Sequence, residues 1–393
     1  MSQNILYLIA GLGIVQGIFL TALIFFHPKA DKRVNFFLSL YVFSFAIILT
    51  VPFTMQLIGW ENSFWIEPFP ILLGPSLYLY IRSFKENITW RRAAPHLVFF
   101  FLFFFIAYSY YSYLKAHYSD PVQISKGMTK DVYGILFSIT KISWFLTYYF
   151  VTRQTLINCQ RSVKECFSDI TQIDLRWARL LNNGTLLLIV VSIAMNVLIF
   201  IYPSRFTLFL LINIAIMTPY LYAITYIGIT QSTLWRKTRE ANTYLNVENK
   251  VSESQNKLAV GEEKSRTVKQ GLGEERIRQL ADMIIKAIEN EKLFTESELT
   301  LQDLANKIQC PPHQASQAIN EGLKKTFYDV INGYRVEEAK RLLLDPKNMN
   351  FTILSVGFEA GFNSKTTFNT VFKKFTGLTP TDYRQKQSLN VVV

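Results

Sequence analysis

Two sets of side chains in this 393-residue chain have types and spacings suited to chemistry. One lies near the C-terminal end: His313, Ser316 and Gln317, then Lys365, Thr366, Asn369, Thr370, Lys373 and Lys374. It mixes amides, hydroxyls and an imidazole, which match the hydrogen-bonding edges of bases, with cations that hold phosphate oxygens. The other set is embedded in apolar sequence: Glu67, Lys141, Asn196 and Asn213. Such groups are costly in hydrocarbon unless they pair with one another or with a ligand. Neither set has metal-ligand spacing, and the chain has no HExxH zinc pattern, P-loop or nucleophile elbow. No catalytic residue, no metal, no cofactor and no enzymatic activity is therefore expected. Cys159, Cys166 and Cys310 fit no disulfide or zinc pattern and read as reduced structural thiols.

The first set is positioned by a run of short helices. Thr300-Leu301-Gln302-Asp303 has the form of a capping box. Leu301, Leu304, Ala305 and Ile308 recur at the i, i+3, i+4, i+7 spacing of a buried face, and Pro311-Pro312 stops that helix. A second helix, with Pro312 in its first turn, buries Ala315, Ala318, Ile319 and Leu323 and turns His313, Ser316 and Gln317 outward. A longer helix from Phe327 to Leu344 then joins a second copy of the pattern. Thr352 opens one helix, Gly361 makes the turn, and Ser364 caps a last helix whose outer face carries Lys365, Thr366, Asn369, Thr370, Lys373 and Lys374. Phe358, Phe362, Phe368, Phe372 and Phe375 have helical spacing and are expected in the core.

The second set belongs to a different kind of sequence. Seven apolar runs, Ile5 to Phe26, Phe36 to Met55, Phe64 to Ile81, Pro95 to Leu114, Val132 to Thr152, Thr185 to Tyr202 and Phe206 to Ile229, are mostly about 17 to 25 residues long, which suits a bilayer. The first lacks a basic n-region and is read as a retained span. Pro68, Pro70, Gly74 and Pro75 predict a kinked or broken third span. Segments on one side of the runs hold fifteen Lys and Arg, and those on the other hold only Lys115, Lys126, Lys130 and Arg205. By the positive-inside rule the N-terminus faces outward and the C-terminal region lies in the cytoplasm. Helical rise puts Lys141 about 14 Å from the outer edge of its span. Glu67, Asn196 and Asn213 also fall in the outer half, so a shared polar pocket is open beside the alternative that Lys141 snorkels and the asparagines bridge helices.

The formal charge of +12 is unevenly distributed. Residues 1–240 carry 20 basic and 10 acidic side chains and residues 274–393 carry 16 and 15, so most of the excess is a topology signal. Residues 241–273 are polar and read as a linker with a reach of roughly 30 Å. The resulting division is 1–230, a seven-span domain; 231–275, a juxtamembrane linker; and 276–393, a helical domain with its core at 299–387.

The ordered positions Arg335-x-x-x-Ala339-x-x-Leu342-Leu343, Ile353, Gly361-Phe362-x-Ser364, Phe368, Phe372-Lys373-Lys374 and Gly377-x-Thr379-Pro380-x-x-Tyr383-Arg384 resemble the DNA-binding domain of AraC-type transcription regulators. The departures, Ala315 for a larger apolar residue and Gln317 for a frequent arginine, lie in the first unit. The resemblance implies base contacts from His313, Ser316 and Gln317 and from Lys365, Thr366, Asn369 and Thr370; Lys373 and Lys374, beside the reading helices, are expected to contact phosphate. The layout is also similar to membrane-bound regulators of this type. The expectation is an all-α protein: a seven-helix transmembrane bundle followed by a cytoplasmic domain with two helix-turn-helix units. It would lie in the inner membrane of a bacterium, with double-stranded DNA, the lipid bilayer and a small-molecule or envelope signal as partners and with room for a homodimer. The competing expectation is a receptor or transporter-like bundle whose C-terminal domain docks a protein.

Overall fold

A computed structural model of the chain describes residues 3–27, 32–57, 59, 65–83, 86, 88–118, 132–170, 175–230, 273–348 and 350–390. Among them the only regular elements are helices, with one isolated β-bridge. The chain divides into two compact units, Met1–Cys159 with Leu175–Arg239, and Gln160–Asp174 with Glu240–Val393. The expected linker falls almost entirely outside the described residues.

The first unit contains α1 (Gln3–Phe25), α2 (Lys32–Ile48), α3 (Val51–Leu57), α4 (Phe69–Arg82), α5 (Trp90–His117), most of α6 (Val132–Cys166), α7 (Arg176–Ile201) and α8 (Phe206–Thr230). Five of these, α1, α5, α6, α7 and α8, are long and apolar enough to cross a membrane. The pair α2 and α3, bent by 44°, makes a sixth if taken as one span. Among the described residues, six of the seven apolar runs read from the sequence correspond to these helices. The third run forms only α4, whose 14 residues rise about 21 Å against a hydrocarbon core of about 30 Å. Pro68 stands at its start and Pro75 inside it, so the helix begins five residues into the run.

Lipid tails are as apolar as leucine, so such helices associate through close packing and buried polar contacts. Their outward surfaces accordingly remain apolar, as at Leu12, Val15, Phe101, Phe105, Leu187 and Val190. Inside, Tyr41, Phe37, Phe45 and Tyr80 are essentially fully buried. Gly17 lets α1 lie against α2: a Cβ there would stand 2.8 Å from that of Ala46. The Tyr41 and Tyr220 hydroxyls share the Thr185 hydroxyl, and Tyr220 also donates to the Leu181 carbonyl at 2.6 Å.

The second unit contains α9 (Glu274–Asn290), α10 (Leu301–Lys307), α11 (Pro312–Gln317, continued by one π turn over Ala318–Gly322), α12 (Phe327–Leu344), α13 (Ile353–Glu359), α14 (Lys365–Thr376) and α15 (Pro380–Asn390). Four of these helices start at hydroxyl caps. Thr300, Thr326, Thr352 and Ser364 accept the amides of Asp303, Asp329, Ser355 and Thr367, and Asp303 returns a bond to the Thr300 amide at 3.0 Å. Each cap satisfies a donor that the helix leaves free, worth about 1 kcal/mol. α9 packs Leu280, Ile284 and Ile288 on the first helix-turn-helix, α10 and α11, around Leu304, Ala315 and Ile319. The second, α13 and α14, closes on Val336, Ala339 and Leu343 of α12 through Phe362, Phe368 and Phe372.

Two expected core residues are outside. Phe358 and Phe375 are 51% and 40% exposed, because both lie at the margin of the buried stripe, while Phe362, Phe368 and Phe372 fill it.

Candidate functional site

The second helix-turn-helix unit is set by its turn. Gly361 has φ +92°, a left-handed conformation that disfavours side chains, and a Cβ there would meet the Phe294 carbonyl oxygen at 2.3 Å. Only glycine lets the turn press against the Phe294–Thr295 backbone. Ser364 then starts α14, twelve residues long and closed by Gly377 at φ 79°. Its buried face is Thr367, Phe368, Val371 and Phe372. Lys365, Thr366, Thr370, Lys373 and Lys374 are exposed and Asn369 is half-buried, so the six residues named from the sequence share the outward side of one helix.

Lys374 has a partner within the domain. It forms an ion pair with Asp329 at 2.7 Å and lies near the Tyr328 and Phe375 rings. Burial raises the Asp329 carboxyl, but Lys374 and the Thr326 hydroxyl outweigh it and hold the pKa below the usual range. Lys374 thus fastens α14 to the start of α12, and Lys373 stays exposed on the outward side of α14.

The first unit is built differently. Its turn passes through Gln309 at φ 53° and Pro311, and α11 has only six α-helical residues before the π turn. His313, Ser316 and Gln317 are each half-buried. The Gln317 amide donates to the Glu321 carboxylate at 3.1 Å, and Asn320 donates to the Ser316 hydroxyl at 3.3 Å. Glu321 thus places an exposed carboxylate beside Gln317.

Sequence reasoning missed the chemical centre of the domain, Arg335, which is 1% exposed. From α12 its guanidinium donates to the carbonyls of Phe294 at 2.7 Å, Glu296 at 2.7 Å and Ser297 at 3.3 Å, and to the Ser168 hydroxyl at 3.1 Å. Burial lowers its pKa to about 10, with Asp169 and Tyr328 opposing the shift, so it stays protonated at neutral pH. Its appearance in a family-like pattern was the available signal.

In the apolar helical bundle, Glu67, Lys141, Asn196 and Asn213 all line one cavity of about 670 Å³. Glu67 and Lys141 form an ion pair at 2.9 Å, and the Tyr111 hydroxyl donates to Glu67 at 3.2 Å. Ser192 donates to the Asn213 side-chain oxygen at 3.2 Å, and its carbonyl accepts from Asn196 at 2.7 Å. Phe45, Leu73, Leu188, Leu210 and Met217 supply apolar wall. Tyr111 and Ser192 were not anticipated. Lys141 also sits 4.7 Å from the centroid of the Phe137 ring. Among the described residues no cluster of His, Cys, Asp or Glu is placed to hold a metal ion, and no disulfide joins the three cysteines.

Residues 304–386 match the family described as "Helix-turn-helix domain". The chain is similar to an uncharacterized HTH-type transcriptional regulator of Staphylococcus aureus strain COL, 29% identical over 113 residues, which is 29% of this chain and 14% of that protein. It is also similar to an uncharacterized HTH-type transcriptional regulator of Bacillus subtilis strain 168, 27% identical over 110 residues, 28% of this chain and 14% of that protein. The matched stretch thus spans about one seventh of the length of these relatives. No solved structure matches the chain. The C-terminal part carries an AraC-type helix-turn-helix domain.

Proposed function

We propose that this chain is a membrane-embedded, one-component transcription regulator. The apolar bundle lies in the cytoplasmic membrane of a bacterium with the N-terminus outside, and the helix-turn-helix domain, on the cytoplasmic side, binds promoter DNA in a sequence-dependent way. α14 reads bases through Lys365, Thr366, Asn369 and Thr370, with Lys373 on phosphate. α11 adds weaker contacts from His313, Ser316 and Gln317. The cavity is the signal site. Its one ion pair is internally neutral and its wall is mostly apolar, which suits an amphipathic small molecule or lipid with a neutral or zwitterionic polar group.

The observation that carries this reading is the coexistence on one chain of a double helix-turn-helix, its second reading face outward and cationic, with long apolar helices around a cavity lined by all four polar residues. The test is genome-wide mapping of DNA occupied by the full-length protein, beside the Lys365→Ala/Asn369→Ala variant. Enrichment of specific promoters, lost in the variant, is expected; no enrichment by the wild type would sink the proposal. Replacing Glu67 with Gln and Lys141 with Met, separately, is expected to abolish signal-dependent expression while leaving membrane insertion intact. An unchanged response would remove the cavity from the account.

The exposed rings of Phe358 and Phe375 favour a second reading, in which the domain docks a protein. That reading predicts co-purification of a stoichiometric protein partner and no DNA enrichment.

A further inference from the structure

Inside the DNA-reading unit, part of the packing comes from a stretch of chain more than a hundred residues upstream. Phe167 forms an antiparallel bridge with Thr300. Ser168 donates both its amide and its hydroxyl to the Leu299 carbonyl, at 3.3 and 2.7 Å. The Ser168 carbonyl accepts from Asn332 at 2.8 Å, and its hydroxyl accepts from Arg335 at 3.1 Å. Ile170 packs on the core of the second helix-turn-helix, and Lys164 lies 5.9 Å from the centroid of the Tyr328 ring. One short segment therefore touches the start of the first helix-turn-helix, the middle of α12 and the core of the second.

An ordinary surface loop leaves its backbone to water. Here Ser168 and Asn332 are both 0% exposed, and their polar atoms are matched across the seam. The matching is specific. Arg335 also holds Phe294 and Glu296, whose backbone lies in the stretch that Gly361 presses against, so the seam meets both units where they meet each other.

We propose that Lys164–Ile170 is a strap that fixes the spacing between the two reading helices, with Ser168, Asn332 and Arg335 as its positioning residues. Without the strap, the two units are joined by α12, the Arg335–Phe294 contact and the Gly361 turn pressed on Phe294–Thr295. With it, a second tether crosses the joint, and α11 and α14 are held for grooves about one helical turn of DNA apart. The strap takes in the last three residues of α6, Lys164–Cys166, so a shift of that helix end reaches the joint. This rests on the DNA-binding reading above, and the experiment separates the two.

The full-length protein in detergent would first select duplexes from a random-sequence library, and the winning site would then be remade with one to three base pairs inserted between its halves. Two proteins are compared with the wild type. One is Ser168→Leu, which removes the hydroxyl and overfills the seam. The other is Phe167→Cys/Thr300→Cys with the native cysteines changed to serine, assayed oxidised and reduced. These two positions oppose each other in a non-hydrogen-bonded pair, where Cα atoms lie about 4.5 Å apart and a disulfide fits. Comparing redox states of one protein cancels the loss of the Thr300 cap.

The wild type and the oxidised pair are expected to lose at least about tenfold in affinity for mis-spaced sites. Ser168→Leu is expected to bind all spacings alike while keeping its affinity for a single half-site, a pattern that simple destabilisation does not give. An undiminished spacing preference in Ser168→Leu, or failure of the cysteine pair to cross-link, overturns the strap. Failure of the wild type to select any duplex overturns the DNA-binding reading itself and the strap's role with it.

Discussion

The two helix-turn-helix units repeat one pattern and solve it with different local chemistry. The first turns through Gln309 and Pro311, has a six-residue α11 and keeps Gln317 bonded to Glu321. The second turns through Gly361 pressed on backbone, has a twelve-residue α14 and leaves Lys365 and Lys373 exposed. Repetition of a motif thus does not imply repetition of its work. The second unit presents exposed cations on a full helix, whereas the first is held by α9 on one side and by the Phe167–Ser168 seam on the other.

The largest test of this contrast is at the turns. Gly361→Ala forces a side chain into a left-handed position and onto the Phe294 carbonyl, and is expected to cost roughly 3 kcal/mol or more. Gln309→Gly, at the equivalent turn, relieves a mild strain and should change stability by under about 1 kcal/mol. Urea unfolding followed by tryptophan-independent circular dichroism would show it, and equal losses would break the contrast. Next comes binding. Lys365→Ala or Asn369→Ala should each weaken specific DNA by about 1–3 kcal/mol, and His313→Ala or Gln317→Ala by less than about 1 kcal/mol, in gel shifts with the full-length protein. Glu321→Gln should sharpen the point by strengthening the first unit modestly.

The caps differ less than the turns. Thr300→Ala and Ser364→Ala should each cost about 1 kcal/mol, and markedly unequal costs would mean that one helix is held chiefly by packing. Lys373→Ala should reduce the slope of log affinity against log salt by about 1, and Lys374→Ala by clearly less, because Lys374 is engaged with Asp329. The smallest effect concerns acid. The folded Asp329 carboxyl titrates below its unfolded value, so its contribution is present above the ordinary carboxylate pKa and is lost as pH falls through the folded one. Asp329→Asn should flatten that part of an acid-unfolding curve, and an unchanged curve would remove the Asp329–Lys374 pair from the account.

Much of this architecture was legible because its signals are local. Hydroxyl caps at Thr300, Thr352 and Ser364 and glycine at 361 mark boundaries through bonds made within three or four residues. The four polar residues of the cavity were also foreseeable, since helical rise alone gave them similar depth. What stayed hidden depends on contacts distant in sequence. Nothing near Ser168 announces that it will lie against Leu299, 131 residues away. Spacing likewise could not tell which aromatic at the edge of a stripe faces out, so Phe358 and Phe375 were placed inward. Apolar length alone also did not register that the helix of the third run begins only after Pro68 and carries Pro75 inside it.

The bridge between Phe167 and Thr300 has a consequence for biosynthesis. During translation residues 160–170 leave the ribosome long before residues 299–335, with α7 and α8 made in between. Closing so long an interval costs loop entropy that only the finished seam repays. A nascent chain that stops before α12 therefore leaves the Ser168 hydroxyl and carbonyl without the Arg335 and Asn332 donors they accept from in the finished domain.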